Sequence, residues 1–242
     1  MSKLRDAFER DGVVWVDRAI APDDVRAMRD CVRARIAGLE FVEVTGALRP
    51  APGTELALWA IGREPALAPL PAALAGAIDR VFGPGVWAQV AGELGGLAMP
   101  NRPCPGPPWR ACDAAWHVDE PSEPRPALGR VVLGFAYLDR VEPGGGATVA
   151  VAGSHRRLAA LADQRAASVT TEVALAEPWC ADLLHAGGPG ASCVSAGIPL
   201  RVVELTGEPG DIVLLDPRCL HTTSANVSPR PRLTMRMTCM RV

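Results

Sequence analysis

The protein has 242 residues, of which 25 are lysine or arginine and 27 are aspartate or glutamate, so its net charge is -2. Hydrophobic residues make up 48% of the chain, and this excludes an intrinsically disordered protein. The near-neutral charge argues against nucleic acid as the main partner, because phosphate binding requires a clustered excess of positive charge.

The chain shows no pattern typical of secretion or membrane insertion. Its start lacks a long apolar run, and no stretch approaches the roughly 18 apolar residues that a membrane-spanning helix needs. We therefore expect a cytoplasmic protein without a membrane partner. The seven cysteines form no C-x-x-C pair, so we interpret them as reduced thiols and not as zinc ligands or disulfides.

The N-terminal part predicts one short strand and two helices. The apolar run 12–16 has the character of a strand. Pro22 and the two aspartates after it are typical of a helix start, because proline fits the first turn and carboxylates stabilise the positive end of the helix dipole. Apolar residues then recur every three or four positions, and the helix should end near Gly38. A second helix is predicted from Pro65 to Phe82.

The second half of the chain consists of short apolar runs separated by turn residues. The chain has 24 glycines and 23 prolines, which favours a β-rich fold over a helical bundle. Short strands at near-regular spacing are typical of a sandwich or a jelly roll. The predicted strands are 130–138, 147–151, 200–205, 211–215 and 233–242.

The chain is predicted to form one domain over residues 1–242. Residues 1–85 would make an N-terminal layer of helices and a strand, and residues 86–242 would make the jelly-roll core. Within that core, residues 155–199 begin as a helix and continue into a glycine-rich stretch. Long loops of this kind often cover active sites, so this segment is predicted to be an inserted lid.

One histidine and one aspartate have the spacing of metal ligands. In an extended segment, residues two positions apart point to the same side, so His117 and Asp119 would present an imidazole and a carboxylate together. His221, which follows a predicted strand, is the natural third ligand of a facial triad for Fe(II). Taken alone, the H-x-D pair is also typical of an exposed loop, or of an aspartate that orients a structural histidine.

The last predicted strand has one polar face. Alternation places Arg232, Thr234 and Arg236 on one side and apolar residues on the other. Such a face would line a polar cavity that holds an anion, because the planar guanidinium binds a carboxylate through two bonds. A solvated strand edge is the alternative explanation.

Four blocks of the sequence are, in chain order, DGVVWVDRAIAPDDVRAMRD, WHVDE, FAYLDRVEPGGGATVAVAGSH and GEPGDIVLLDPRCLHTTSANVSPRPRL. Together they resemble the phytanoyl-CoA dioxygenase-like family of Fe(II)/2-oxoglutarate oxygenases. The resemblance is weakest over residues 40–110 and 155–200. It implies a fold that is mainly β with flanking helices, namely a double-stranded β-helix or cupin-like jelly roll.

The resemblance also implies roles for individual residues. His117, Asp119 and His221 would be the iron ligands. Arg232 lies eleven positions after His221, where the family binds the distal (C5) carboxylate of 2-oxoglutarate, and Arg230 is the near alternative. Thr223 would assist. Related halogenases have a small residue in place of the carboxylate, so Asp119 argues against halogenation.

The implied activity is a dioxygenase reaction that uses Fe(II), 2-oxoglutarate and O2. A small-molecule metabolite would be hydroxylated, desaturated or cyclised, with release of succinate and CO2. One alternative is a cupin-like metal enzyme that does not use 2-oxoglutarate, and another is a catalytically silent jelly roll that binds a metabolite. The sequence leaves the substrate and the oligomeric state open.

Overall fold

The computed structural model describes residues 2–44, 47–89, 96–104, 115–124, 131–185 and 187–241. Within these ranges, the strands form two main antiparallel sheets and one hairpin. In chain order the strands are β1 (Val13–Val16), β2 (Phe41–Val44), β3 (Ala47–Pro50), β4 (Trp87–Gln89), β5 (Leu97–Asn101), β6 (Val131–Tyr137), β7 (Thr148–Ala152), β8 (Ser192–Ser195), β9 (Ile198–Glu204), β10 (Ile212–Leu215), β11 (His221–Thr223) and β12 (Arg232–Arg241).

The helices fall into an N-terminal group and a group between β7 and β8. They are α1 (Lys3–Asp11), α2 (Pro22–Ile36), α3 (Glu55–Ile61), α4 (Leu70–Phe82), α5 (Ser154–Arg165), α6 (Thr171–Leu175) and α7 (Pro178–His185). A 3-10 turn at Pro65–Leu67 precedes α4. No helix in the described part of the chain is long and apolar enough to cross a membrane.

The two sheets pack face to face as a jelly roll. The major sheet has the order β1-β10-β6-β12-β4, and β5 also pairs with β12. The minor sheet has the order β11-β7-β9-β8. An apolar cluster from both sheets, including Phe135, Ala150 and Val213, fills the space between them. The predicted mainly β fold with flanking helices is confirmed.

The N-terminal layer covers the outer face of the major sheet. Helices α1, α2 and α4 share one apolar cluster with the outward-facing side chains of β6, β10 and β12. The close approach of α4 to β6 occurs at Gly134, where an added Cβ would lie 2.5 Å from Cδ1 of Leu74. Strand β1 lies at the edge of the major sheet, so residues 1–85 also contribute to the core sheet.

Two of the predicted elements differ from the structure. The second helix does not begin at Pro65 but at Leu70. Pro69 has no N–H to donate to the carbonyl of residue 65, so the 3-10 turn and α4 remain separate. Regular structure also extends further than predicted between residues 178 and 199, because α7 and the β8–β9 pairing occupy most of that stretch.

Residues 155–199 pack on the outer face of the minor sheet. Helices α5 to α7 share an apolar cluster with Val149 and Val151 of β7. The same segment also contacts residues 115–124, which carry His117 and Asp119 and are called the metal loop below. Ser122 and Val169 exchange two backbone hydrogen bonds of 3.1 and 2.9 Å. A lid role for the segment stays a prediction.

Candidate metal centre

The backbones of His117 and His221 form an isolated antiparallel bridge. The N–H of each residue donates to the carbonyl of the other at 2.9 Å, and the two ring centroids lie 4.3 Å apart. His221 is the first residue of β11, which pairs with β7 inside the minor sheet. Two histidines 104 positions apart in the sequence are therefore held side by side by backbone pairing.

Both imidazoles direct the same nitrogen toward Asp119. Nδ1 of His117 lies 3.1 Å from the Ala115 carbonyl, and Nδ1 of His221 lies 2.9 Å from the Cys219 carbonyl. Because a carbonyl only accepts, each Nδ1 carries the hydrogen and each Nε2 has a free lone pair. The Nε2 atoms are 3.5 and 3.7 Å from the two carboxylate oxygens of Asp119.

The three side chains form a donor set that fits a divalent metal ion. Their ligand atoms all lie within 4.8 Å of one another. Metal–ligand bonds of about 2.0–2.2 Å place neighbouring donors roughly 3 Å apart, so small side-chain rotations would bring these atoms around one ion. Two imidazoles and one carboxylate are also the ligands typical of Fe(II) oxygenases.

The electrostatic environment favours the metal-binding forms of His117 and Asp119. Burial and the neighbouring His221 lower the pKa of His117, which keeps its imidazole neutral. For Asp119, burial opposes ionisation, but the interaction with His221 and the positive charge of Arg236 outweigh it and lower the pKa. Neutral nitrogen donors and an ionised carboxylate are what a divalent cation requires.

The loop that carries Asp119 is fixed by hydrogen bonds from outside the triad. The N–H of Asp119 donates to the Pro217 carbonyl at 2.9 Å. The N–H of Val118 donates to Oγ1 of Thr171 at 3.0 Å. On the other side, the hydroxyl of Thr222 donates to the Ala115 carbonyl at 3.1 Å. Such outer contacts orient ligands before the metal arrives.

Arg232 lies on the interior face of β12, as its alternation predicts. Its residue exposure is 3%, while the neighbouring Leu233 packs toward the helices. Nη2 donates to the Met99 carbonyl at 3.2 Å, and Nε is buried without a hydrogen bond in the described part of the chain. Burial, with repulsion from Arg49, lowers the pKa of Arg232 to about 10, so it remains charged at neutral pH. Arg230, the other arginine near the predicted spacing, is exposed.

Thr223 is the last residue of β11 and lies next to Arg49. Since it follows His221 by two positions, both side chains point to the same side of the strand. Its carbonyl accepts a hydrogen bond from Nη2 of Arg49 at 3.5 Å. Because the charge of Arg49 also acts on His117 and on Arg232, the five predicted site residues lie in one region of the structure.

Arg49 is a member of this region that the sequence analysis missed. It lies on β3, and its Nε is buried without a hydrogen bond among the described residues. Its charge contributes to the lowered pKa values of both Arg232 and His117, although burial is the main cause in each case. Arg49 therefore lies near both of them. Its sequence signal is only an arginine in a short strand, which does not distinguish it from other arginines.

A model of one protein family matches nearly the whole chain. The family is described as phytanoyl-CoA dioxygenase (PhyH), and the match covers residues 8–234. The chain belongs to the phytanoyl-CoA dioxygenase family. The resemblance inferred from the four sequence blocks is thereby confirmed, and so is the interpretation of the protein as a dioxygenase. The sequence matches none of the curated proteins.

Several solved structures share the fold of this phytanoyl-CoA dioxygenase family member. The non-heme alpha ketoglutarate dependent carbocyclase SnoK from nogalamycin biosynthesis has a TM-score of 0.62 and 18% identity, over 99% of this chain and 84% of its own. The epimerase SnoN, in complex with Fe3+, alpha ketoglutarate and nogalamycin RO, has a TM-score of 0.58 and 18% identity, over 98% and 82%. EctD from S. alaskensis, with 2-oxoglutarate and 5-hydroxyectoine, has a TM-score of 0.57 and 20% identity, over 99% and 76%.

These neighbours carry the cofactors that the sequence predicts. SnoN was solved with iron and alpha ketoglutarate, and EctD with 2-oxoglutarate. The predictions of iron and 2-oxoglutarate thus agree with the ligands of related folds. At identities of 20% or less, these comparisons establish the fold.

Proposed function

We propose that this protein is an Fe(II)- and 2-oxoglutarate-dependent dioxygenase that acts on a small molecule. His117, Asp119 and His221 would hold the iron, and Arg232 would bind the distal carboxylate of 2-oxoglutarate. The observation that carries the proposal is a buried, charged arginine without an acidic partner among the described residues, in the same interior as a metal-binding triad. A buried cation of this kind needs an anion, and the 2-oxo acid supplies one.

When bound, iron and 2-oxoglutarate together supply the oxidation of a substrate C–H bond by O2, with release of succinate and CO2. The protein's own residues hold and orient these groups. Asp119 supplies the anionic ligand. His117 and His221 present Nε2 because backbone carbonyls hold their Nδ1–H groups. Arg232 fixes one end of the 2-oxo acid, with Thr223 and Arg49 beside it.

The substrate is proposed to be a small organic metabolite that is hydroxylated, desaturated or cyclised. Among the neighbouring folds, SnoN was solved with nogalamycin RO and EctD with 5-hydroxyectoine, both of them small molecules. The net charge of -2 favours neither nucleic acid nor an anionic membrane surface as a partner. Location in the cytoplasm stays a prediction.

The buried arginine also favours this function over a cupin-like metal enzyme that does not use 2-oxoglutarate. Such an enzyme needs the triad but has no use for Arg232. Addition of Fe(II) and 2-oxoglutarate to the protein without oxygen should produce a visible charge-transfer band between the metal and the 2-oxo acid. Folded protein that binds iron but never shows the band would contradict the proposal.

A further inference from the structure

Arg236 is a second arginine on the interior face of β12, and it contacts the metal-binding triad directly. Its Nη1 lies 3.3 Å from Oδ2 of Asp119. It is four residues from Arg232, which along a strand is roughly 13 Å. Its side chain is 28% exposed, while Arg232 is almost completely buried. Arg236 is thus the arginine of this face that a molecule from solvent reaches.

The three arginines have different neighbours around the triad. Arg49 is close enough to Arg232 and His117 for its charge to act on both, whereas Arg236 acts on Asp119. We call the space bounded by the triad and these three arginines the chamber. We refer to the part around Arg232, with Arg49, as its Arg232 side, and to the part four residues further along β12, where Arg236 contacts Asp119, as its Arg236 side.

The chamber has more positive charge than its acidic residues balance. Among the described residues that bound the chamber, there are three arginines and one acid, Asp119, which contacts Arg236. The next acid along the chain, Glu120, interacts with Arg218. The three longer undescribed segments, 90–95, 105–114 and 125–130, together contain two acids and three arginines, so they add no net negative charge.

The bound cofactors do not remove this excess. Fe(II) carries two positive charges and 2-oxoglutarate carries two negative charges, so they cancel. Asp119 offsets one arginine, and two positive charges remain. In addition, Nε of each chamber arginine is buried and makes no hydrogen bond within the described part of the chain. Charges and donors in this state are costly unless a ligand satisfies them.

We propose that the substrate carries an anionic group, a carboxylate or a phosphate, and that Arg236 binds it beside Asp119, four residues along β12 from Arg232. This inference rests on the proposed function, because the 2-oxo acid must occupy the Arg232 side. Arg236 would act as a specificity residue. A guanidinium binds either anion through two parallel bonds, and a neutral isostere of the same shape cannot form them.

The test uses the full chain with Fe(II) and saturating 2-oxoglutarate, kept free of oxygen. The first measurement is the charge-transfer band, whose absence contradicts the proposed function itself. Once the band is present, benzoate, benzamide, phenyl phosphate and inorganic phosphate are titrated in turn, and their dissociation constants are measured by calorimetry. Benzoate and benzamide have nearly the same shape and differ in charge, so they form a matched pair. Phenyl phosphate distinguishes a phosphate site from a carboxylate site.

We expect benzoate or phenyl phosphate to bind at least tenfold more tightly than benzamide, without reducing the band. Arg236→Gln should lower the affinity for the preferred anion by roughly 10- to 100-fold, because it removes one charge-assisted pair. The affinity for benzamide should not change. Arg236→Lys should retain part of the affinity. Arg230→Gln removes one exposed arginine and should change nothing, which controls for net charge.

Three results would overturn the inference while leaving the proposed function intact. One is that benzamide binds as tightly as the anions, or that no anion binds. Another is that Arg236→Gln keeps the preference for the anion. The third is that the anions bind only by displacing 2-oxoglutarate, which would be seen as loss of the band and would assign their site to Arg232.

Discussion

His117 and His221 hold each other in place through two backbone hydrogen bonds of 2.9 Å, independently of any metal. The pairing joins the H-x-D segment to the edge of the minor sheet and puts both Nε2 atoms on the side of Asp119. The triad is consequently formed by the fold itself. Metal binding has only to draw three side chains together, without having to order the backbone that carries them.

Metal binding should stabilise the protein through His117 in particular. At a metal concentration 100-fold above the dissociation constant, the free energy of unfolding should increase by about 2.7 kcal/mol. His117→Ala removes one ligand from a side chain that is 46% exposed, so the metal-free variant should melt close to the wild type. Thermal unfolding with and without Co(II) checks this. A variant that still gains the full stabilisation would contradict the assignment of His117 as a ligand.

Arg232 should lower the stability of the ligand-free protein and increase its affinity for the 2-oxo acid. Arg232→Met replaces a buried cation without an acidic partner by an apolar side chain of similar length. The free energy of unfolding without ligands should therefore rise by about 1 kcal/mol or more. The affinity for 2-oxoglutarate should fall by on the order of 10- to 100-fold, because a charge-assisted pair is lost. Urea unfolding and titration of the charge-transfer band measure the two effects.

The control for this variant uses 2-oxovalerate, which keeps the 2-oxo acid but lacks the distal carboxylate. Its affinity should be the same for the wild type and Arg232→Met. An equal loss for both acids would mean that Arg232 acts through the fold and not through the carboxylate. Arg230→Gln, at an exposed position, should leave both affinities unchanged.

Arg49 should support binding of the 2-oxo acid more weakly than Arg232. It is only partly buried, and its hydrogen bond to the Thr223 carbonyl is long, at 3.5 Å. We expect Arg49→Gln to lower the affinity for 2-oxoglutarate by roughly 3- to 10-fold, because one partly solvated charge is lost. In the double variant with Arg232→Met, the two losses should not add, because both arginines face the same anion. Strict additivity would place Arg49 on a different ligand.

Thr171, the first residue of α6, should hold the metal loop in position through a hydrogen bond. Its Oγ1 accepts the N–H of Val118, which lies between two of the triad residues. Thr171→Val leaves that N–H without its acceptor, so we expect a loss of about 1–2 kcal/mol in the free energy of unfolding and at least tenfold weaker Co(II) binding. Thr171→Ser keeps the acceptor and should behave like the wild type. Equal Co(II) binding in all three proteins would limit this hydrogen bond to a structural role.

The residues that sequence reasoning found are those whose position depends on local geometry. The two-residue spacing of His117 and Asp119 and the alternation that placed Arg232 inside follow from the period of a strand. His221 and Thr223 came from a motif whose spacing along one strand is fixed in the same way. The apolar periodicity of α2 predicted its buried face for the same reason.

The features that were missed depend on contacts between distant parts of the chain. Arg49 reaches Thr223 across 174 positions, and only the docking of the β2–β3 hairpin against β5 brings them together. The contact of Arg236 with Asp119 spans 117 positions. The polar face of β12 predicted the side to which Arg236 points, but not the carboxylate that it meets there. Such pairs are set by tertiary packing, for which the local pattern has no signal.

The most direct test of the central claim is a crystal structure of the protein grown without oxygen in Fe(II) and 2-oxoglutarate, with anomalous data at the iron edge. We predict one iron peak bonded at about 2.0–2.2 Å to Nε2 of His117, Nε2 of His221 and a carboxylate oxygen of Asp119. The distal carboxylate of 2-oxoglutarate should lie against the guanidinium of Arg232. Iron bound elsewhere, or a 2-oxo acid that leaves Arg232 without a partner, would contradict the account.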